Sequence, residues 1–178
     1  MRVISFTPAL VAAVQAGRKT VTRRRFSPDL PLQQQPERYR YARLEREGAV
    51  FNDLRTDAMC GLPPIPCPFG QPGERLQVLE DPALILEIRS IRAEQVQCMT
   101  EADALAEGVR GAEIEGHMQW GGVEPDAESP SQFKWYSTPL TAFQALLDSI
   151  YPTAWARNEW VWVVTFVRCS KPVTNAAS

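Results

Sequence analysis

The chain has 178 residues, of which 44% are hydrophobic and 22% charged, with a net charge of −2. That length suits one domain with a sizeable core, and the composition is that of an ordinary globular protein. No apolar run reaches the roughly 18 residues of a membrane span, and the four cysteines (Cys60, Cys67, Cys98 and Cys169) and the single histidine, His117, fit no zinc-ligand spacing.

"RVISF" reads as an opening strand, and Thr7-Pro8 as an N-cap followed by proline at the first helical position. Leu10, Val11 and Val14 share one helical face, and Gly17 supplies a left-handed stop. Pro8, Ser5 and Thr7 interrupt the N-terminal apolar stretch, so it reads as strand and helix rather than a signal peptide, and a cytoplasmic protein is expected. Straight after the stop comes "RKTVTRRR", with Arg18, Lys19, Arg23, Arg24 and Arg25 gathered in eight positions around Thr20 and Thr22. "TVTRRRF" alternates like a strand, which puts Lys19 and Thr22 at a helix-to-strand junction. Charge is asymmetric: residues 1–46 carry +7 and residues 47–178 carry −9. A polar or anionic ligand at one site fits that pattern better than wholesale coating of DNA.

Residues 27–73 are Pro-rich and polar and read as a long irregular insertion with one hairpin around Tyr39 to Phe51. Cys60 and Cys67 flank a Pro-rich segment and could pair under oxidation, but free thiols are expected. The Pro72-Gly73 turn then feeds a strand with Leu76 and Val78 on one face. "ALILEIRSIR" is a second strand, in which Leu84, Leu86, Ile88 and Ser90 alternate with Ile85, Glu87 and Arg89. Thr100 and Asp103 open a short helix in capping-box fashion, and Gly108 stops it. Residues 109–137 are glycine-rich and read as a second irregular insertion, with His117 as a loop residue. Thr138-Pro139 opens a helix with Leu140, Phe143, Leu146, Leu147 and Ile150 on its apolar face. The closing strand "WVWVVTFVR" is apolar on both faces, as a strand buried on both sides must be, and residues 171–178 read as a frayed tail. Strands separated by irregular connections favour an α+β barrel covered by helices over a parallel βαβ sheet, and no Walker-type glycine motif is present.

Basic residues after a helix C-terminus are favoured by the helix dipole alone, and a threonine in a strand needs no further reason. Glu107, beside the C-terminus of its own helix, is electrostatically misplaced and is less easily explained. Chemically, a lysine whose pKa is lowered by burial and positive neighbours could activate a threonine hydroxyl. Tryptophans beside basic residues can stack nucleobases; Trp160 and Trp162 read as core, and Trp120 and Trp135 either contact a base or anchor the glycine-rich loop.

Four stretches in order, "FTPALVAAVQAGRKTVTRR", "CPFGQPGERLQVLE", "MTEADALAEGV" and "NEWVWVVTFVR", resemble the ASCH domain family, most of all its longer, prophage-type bacterial members. The resemblance spans most of the chain apart from roughly 27–60 and 110–137. It implies a single domain over 1–178 with a PUA-like small β-barrel flanked by helices, and no metal or organic cofactor. It implies two functions: RNA binding through the cleft, to single-stranded or structured RNA, or an amidohydrolase that removes the acyl group of N4-acetylcytidine with a Lys, a Thr and a Glu. Matched to the motifs, these are Lys19, Thr22 and Glu107, with Arg24 at a basic position of the motif. Arg18, Thr20, Arg23, Arg24, Trp120 and Trp135 are the expected substrate-binding residues. The chain departs from longer members where they read "LWVRETW" and it reads "LQVLEDP", with Gln77, Leu79 and Pro82 in place of the aromatics and arginine.

Overall fold

The computed structural model describes residues 1–56, 62–129 and 132–169, so the expectation for Cys60, free or paired with Cys67, and the one for the tail 171–178 lie outside the described residues. Strand β1 (Arg2–Ile4) gives way to helix α1 (Pro8–Gln15), whose N-terminus is capped by the Thr7 hydroxyl accepting from Leu10 N–H. Strand β2 (Val21–Arg25) follows, then a short helix α2 (Pro31–Gln34) and the hairpin β3 (Tyr39–Leu44) and β4 (Ala49–Asp53). Next come β5 (Arg75–Val78), β6 (Ile85–Gln95) and helix α3 (Glu101–Ala106), on which Thr100 and Asp103 form a complete capping box. Strands β7 (Arg110–Ile114), β8 (His117–Pro125) and β9 (Phe133–Tyr136), helix α4 (Pro139–Ile150) and strand β10 (Trp160–Arg168) complete the chain. Among the described residues no helix is long and apolar enough to cross a membrane.

The main sheet has the order β1-β5-β6-β10-β2, antiparallel except for the β1–β5 pair. β10 lies inside it, and Trp160 through Val164 are all buried, as its two apolar faces require. Trp162 stacks on Phe26 at 4.1 Å between centroids, and Trp160 meets Phe51 of the hairpin edge-on at 4.9 Å, so both tryptophans are core. The β6–β10 register shifts between Thr165 and Phe166. This slip leaves Ser90 exposed, off the face of Leu86 and Ile88, and passes the buried position to Ile91.

The fold is α+β, but the described strands form three separate sheets and none closes into a barrel. β1, which pairs through only three residues before Thr7-Pro8 turns the chain into a helix, and β2 are the two edges of the main sheet. The region 109–137, expected to be irregular, holds the antiparallel meander β7-β8-β9. Its glycines diluted the alternation but serve the sheet. A Cβ on Gly121 would sit 2.3 Å from the Lys134 carbonyl oxygen, and Gly122, at φ +77°, lies within the irregular register between Gly121 and Pro125. Glu115 and Gly116, both at positive φ, make the two-residue turn of the β7–β8 hairpin, so His117 opens a strand rather than lying in a loop.

Candidate functional site

Two helix C-termini converge on one lysine. At the end of α1, Gly17 N–H donates to Val14 O (3.0 Å) and Arg18 N–H to Ala13 O (2.9 Å), a Schellman pair made possible by Gly17 at φ +74°. At the end of α3, Gly108 N–H donates to Leu105 O (3.0 Å) and Val109 N–H to Ala104 O (3.3 Å), with Gly108 at φ +110°. The two turns are tied together by Thr20 N–H donating to Ala106 O at 2.9 Å. Gly108 has to be glycine for a second reason: a Cβ there would lie 3.0 Å from Ala13 Cβ and 3.5 Å from Lys19 Cβ.

This junction places Lys19 and Glu107, both buried, in contact. The Lys19 ammonium donates to Glu107 Oε2 (2.6 Å), to the Glu107 carbonyl (3.1 Å) and to the Val21 carbonyl (2.8 Å). A helix C-terminus that repels a carboxylate is thereby compensated by a cation that bonds both its carbonyl and that carboxylate. Burial lowers the Lys19 pKa from its ordinary 10.5; Glu107 pulls it back up, and Arg24 and Arg23 add to the lowering. Arg23 lies alongside with its NH1 donating to Glu107 Oε1 at 3.3 Å, and it also meets Glu94 and Asp103. Arg24 donates to the Ser5 carbonyl, and its guanidinium lies 5.3 Å from the centre of the Phe6 ring, which Lys19 Nζ approaches at 5.4 Å. Ser5 and Phe6 are held in turn by the Glu80 carboxylate, which accepts from the Ser5 hydroxyl and from Phe6 N–H. Those bonds, the Ser5 hydroxyl first, lower the Glu80 pKa.

A cavity of about 330 Å³ opens above this junction. Lys19, Thr22, Arg24 and Glu107 form its polar floor, Phe6 and Thr7 one side, and Phe143, Leu146, Leu147, Ile150 and Tyr151 an apolar wall contributed by α4 and the residue after it. Thr22 is buried in β2, and its hydroxyl makes no hydrogen bond to a described residue while it lines the cavity.

Lys19, Thr22, Glu107 and Arg24, marked from the sequence, are thus brought together. Arg23 borders the cavity, but its side chain has no exposed surface and is engaged by carboxylates, so it is not placed as a substrate-binding group. Arg18 and Thr20 are exposed outside the cavity. Trp120 and Trp135 belong to the β7-β8-β9 sheet, with the Arg110 guanidinium 5.0 Å over the Trp135 ring, and neither lines the cavity. The basic cluster is mostly neutralised from within, because Arg25 is also bound, through two hydrogen bonds of 2.6 and 2.9 Å, to fully buried Glu159. Glu94, Glu80, Phe6 and Tyr151 were not marked by the sequence; their roles depend on sheet order and helix packing, which leave no local signature. No family model, no curated protein and no solved structure matches this chain.

Proposed function

We propose that this cleft binds a nucleoside or a base of RNA and hydrolyses an acyl amide of the N4-acetylcytidine type, in the cytoplasm, as the resemblance to PUA-like ASCH domains implies. One observation carries the reading: Thr22, whose hydroxyl makes no hydrogen bond to a described residue, lines a cavity beside a buried Lys–Glu pair whose members lie 88 residues apart in the sequence. Thr22 supplies the oxygen that adds to the acyl carbonyl while its proton passes to neutral Lys19. The Glu107 carboxylate and the two carbonyls around Nζ are arranged to receive the ammonium that forms. Arg24 stabilises the negative charge on the carbonyl oxygen. The C–N bond then breaks as the leaving nitrogen takes the proton held on Lys19, and water, giving a proton to Glu107, adds to the acyl-threonine ester and releases the acyl group as a carboxylic acid while that proton returns to the Thr22 oxygen.

The competing reading is a non-catalytic RNA-binding module on the same cleft. It is the weaker one, because Lys19, Arg23 and Arg25 are already paired with carboxylates and are not free to grip phosphates. Chromatography of N4-acetylcytidine incubated with the protein, alongside Lys19→Ala and Glu107→Ala, tests the proposal. Cytidine formed by wild type and lost in both variants supports it, whereas no cytidine at high enzyme concentration rejects that substrate. Binding of an RNA oligonucleotide that weakens steeply with added salt would instead favour the module.

A further inference from the structure

Arg23 stands between Thr22 and Arg24 on β2, opposite Val163 of β10, which offers its guanidinium no side-chain hydrogen bond. A guanidinium with no exposed surface persists only when its N–H groups meet compensating charge. Three carboxylates from two elements supply it. Glu94 of β6 accepts from Nε at 2.8 Å and lies 2.7 Å from NH2, reached diagonally across β10. Asp103 lies 3.0 Å from NH2 through Oδ1, its Oδ2 being taken by the Thr100 N–H and hydroxyl of the capping box. Glu107 accepts from NH1 through Oε1, the oxygen that Lys19 does not use. One guanidinium therefore grips both the first turn of α3 and the residue that caps its C-terminus.

We infer that Arg23 is a positioning residue: by holding Oε1 of Glu107 it shares that carboxylate with Lys19 and fixes its rotation so that only Oε2 meets the ammonium, with Glu94 and Asp103 locking the guanidinium in place. The effect on activity rests on the amidohydrolase reading; the effect on Lys19 does not. The charged and titratable groups around Lys19 are Glu107 from α3, Arg23 and Arg24 from β2, and Tyr151 across the cavity. Glu94 also carries Arg92 at 3.1 Å. Without Arg23, Glu107 turns wholly towards Lys19 and one opposing positive charge is lost, and both changes favour the protonated lysine.

The test is an NMR titration of the side-chain ¹⁵Nζ signal of Lys19 in the full chain, which has only three lysines, run beside the pH profile for N4-acetylcytidine. Arg23→Gln is expected to raise the Lys19 midpoint by about one pH unit, the size of effect one nearby charge produces. Arg23→Lys, which keeps the charge, restores most of it. The matching inflection of kcat/KM moves with the midpoint, and KM changes little. A folded Arg23→Gln protein with an unmoved Lys19 midpoint and only a lower Tm overturns the inference and leaves Arg23 a packing residue. Should Arg23→Gln not fold, Glu94→Gln loosens the same clamp from a partly exposed side; a smaller upward shift supports the inference, and none overturns it. If wild type releases no cytidine, the amidohydrolase reading fails while the Lys19 titration still decides the role of Arg23.

Discussion

Lys19 Nζ lies 2.6 Å from Glu107 Oε2 although 88 residues separate the two, and the contact closes the gap between the ends of α1 and α3. Removing one member of such a pair leaves the other charge buried. Glu107→Ala is expected to destabilise the fold by about 3–5 kcal/mol, the range for a broken buried pair. Lys19→Met is expected to cost less, because Glu107 keeps Arg23. Urea unfolding of both variants gives the order, and equal losses would mean that Arg23 does not compensate Glu107.

Thr22 separates chemistry from stability. Its hydroxyl has no described partner, and valine matches its shape and suits a strand, so Thr22→Val should change stability by less than about 1 kcal/mol. Hydrolysis of N4-acetylcytidine should nevertheless fall by at least about 100-fold, and Thr22→Ser should retain measurable activity. A Thr22→Val protein that turns over at the wild-type rate would remove Thr22 as the nucleophile.

Much of the site was legible because its key residues stand beside punctuation that sequence shows well. Gly17 and Gly108 mark two helix ends, and Lys19 and Glu107 sit next to them. The elements around them, α1, β2, α3, α4 and β10, likewise follow from caps and periodicity. What could not be read depends on neighbours distant in sequence. The pairing of Arg23 with Glu94 requires β2 and β6 to flank β10, and nothing local in either strand signals that order. Strands β7 to β9 were hidden because Gly111, Gly121 and Gly122 leave no side chain to alternate, although Met118 and Trp120 crowd the first and the Lys134 backbone crowds the second. Trp120 and Trp135, expected to contact a base, fall in that stretch, and neither lines the cavity beside Lys19.

The lowered Lys19 pKa has a definite sign in stability. Burial, opposed by Glu107, holds it below the unfolded value of 10.5, so between the folded value and 10.5 the unfolded chain binds more protons. Wild-type stability relative to Lys19→Met should therefore rise with pH through that window and fall as pH drops through the folded value. Denaturant midpoints of the two proteins from pH 7 to 10 measure it. A difference that is flat or falls with pH contradicts a depressed lysine. Under the proposed chemistry, kcat/KM climbs over the same window, as neutral Lys19 becomes available.

Gly108 makes the approach of the two helix ends possible, which a pair of alanine substitutions tests. Gly108→Ala combines an unfavourable φ of +110° with a Cβ 3.0 Å from Ala13 Cβ and 3.5 Å from Lys19 Cβ. Backbone strain alone is worth about 1–3 kcal/mol. Relief of the contact has to move α3 away from α1, and Glu107 away from Lys19 with it. Gly17→Ala carries φ +74° but meets nothing within 4 Å, so its expected cost is strain of about 1–2 kcal/mol with the site intact. Folded Gly108→Ala should thus lose activity beyond its lost folded fraction, while folded Gly17→Ala keeps it. Equal specific activities for the two folded variants would show that the chemistry does not depend on how closely α3 approaches Lys19.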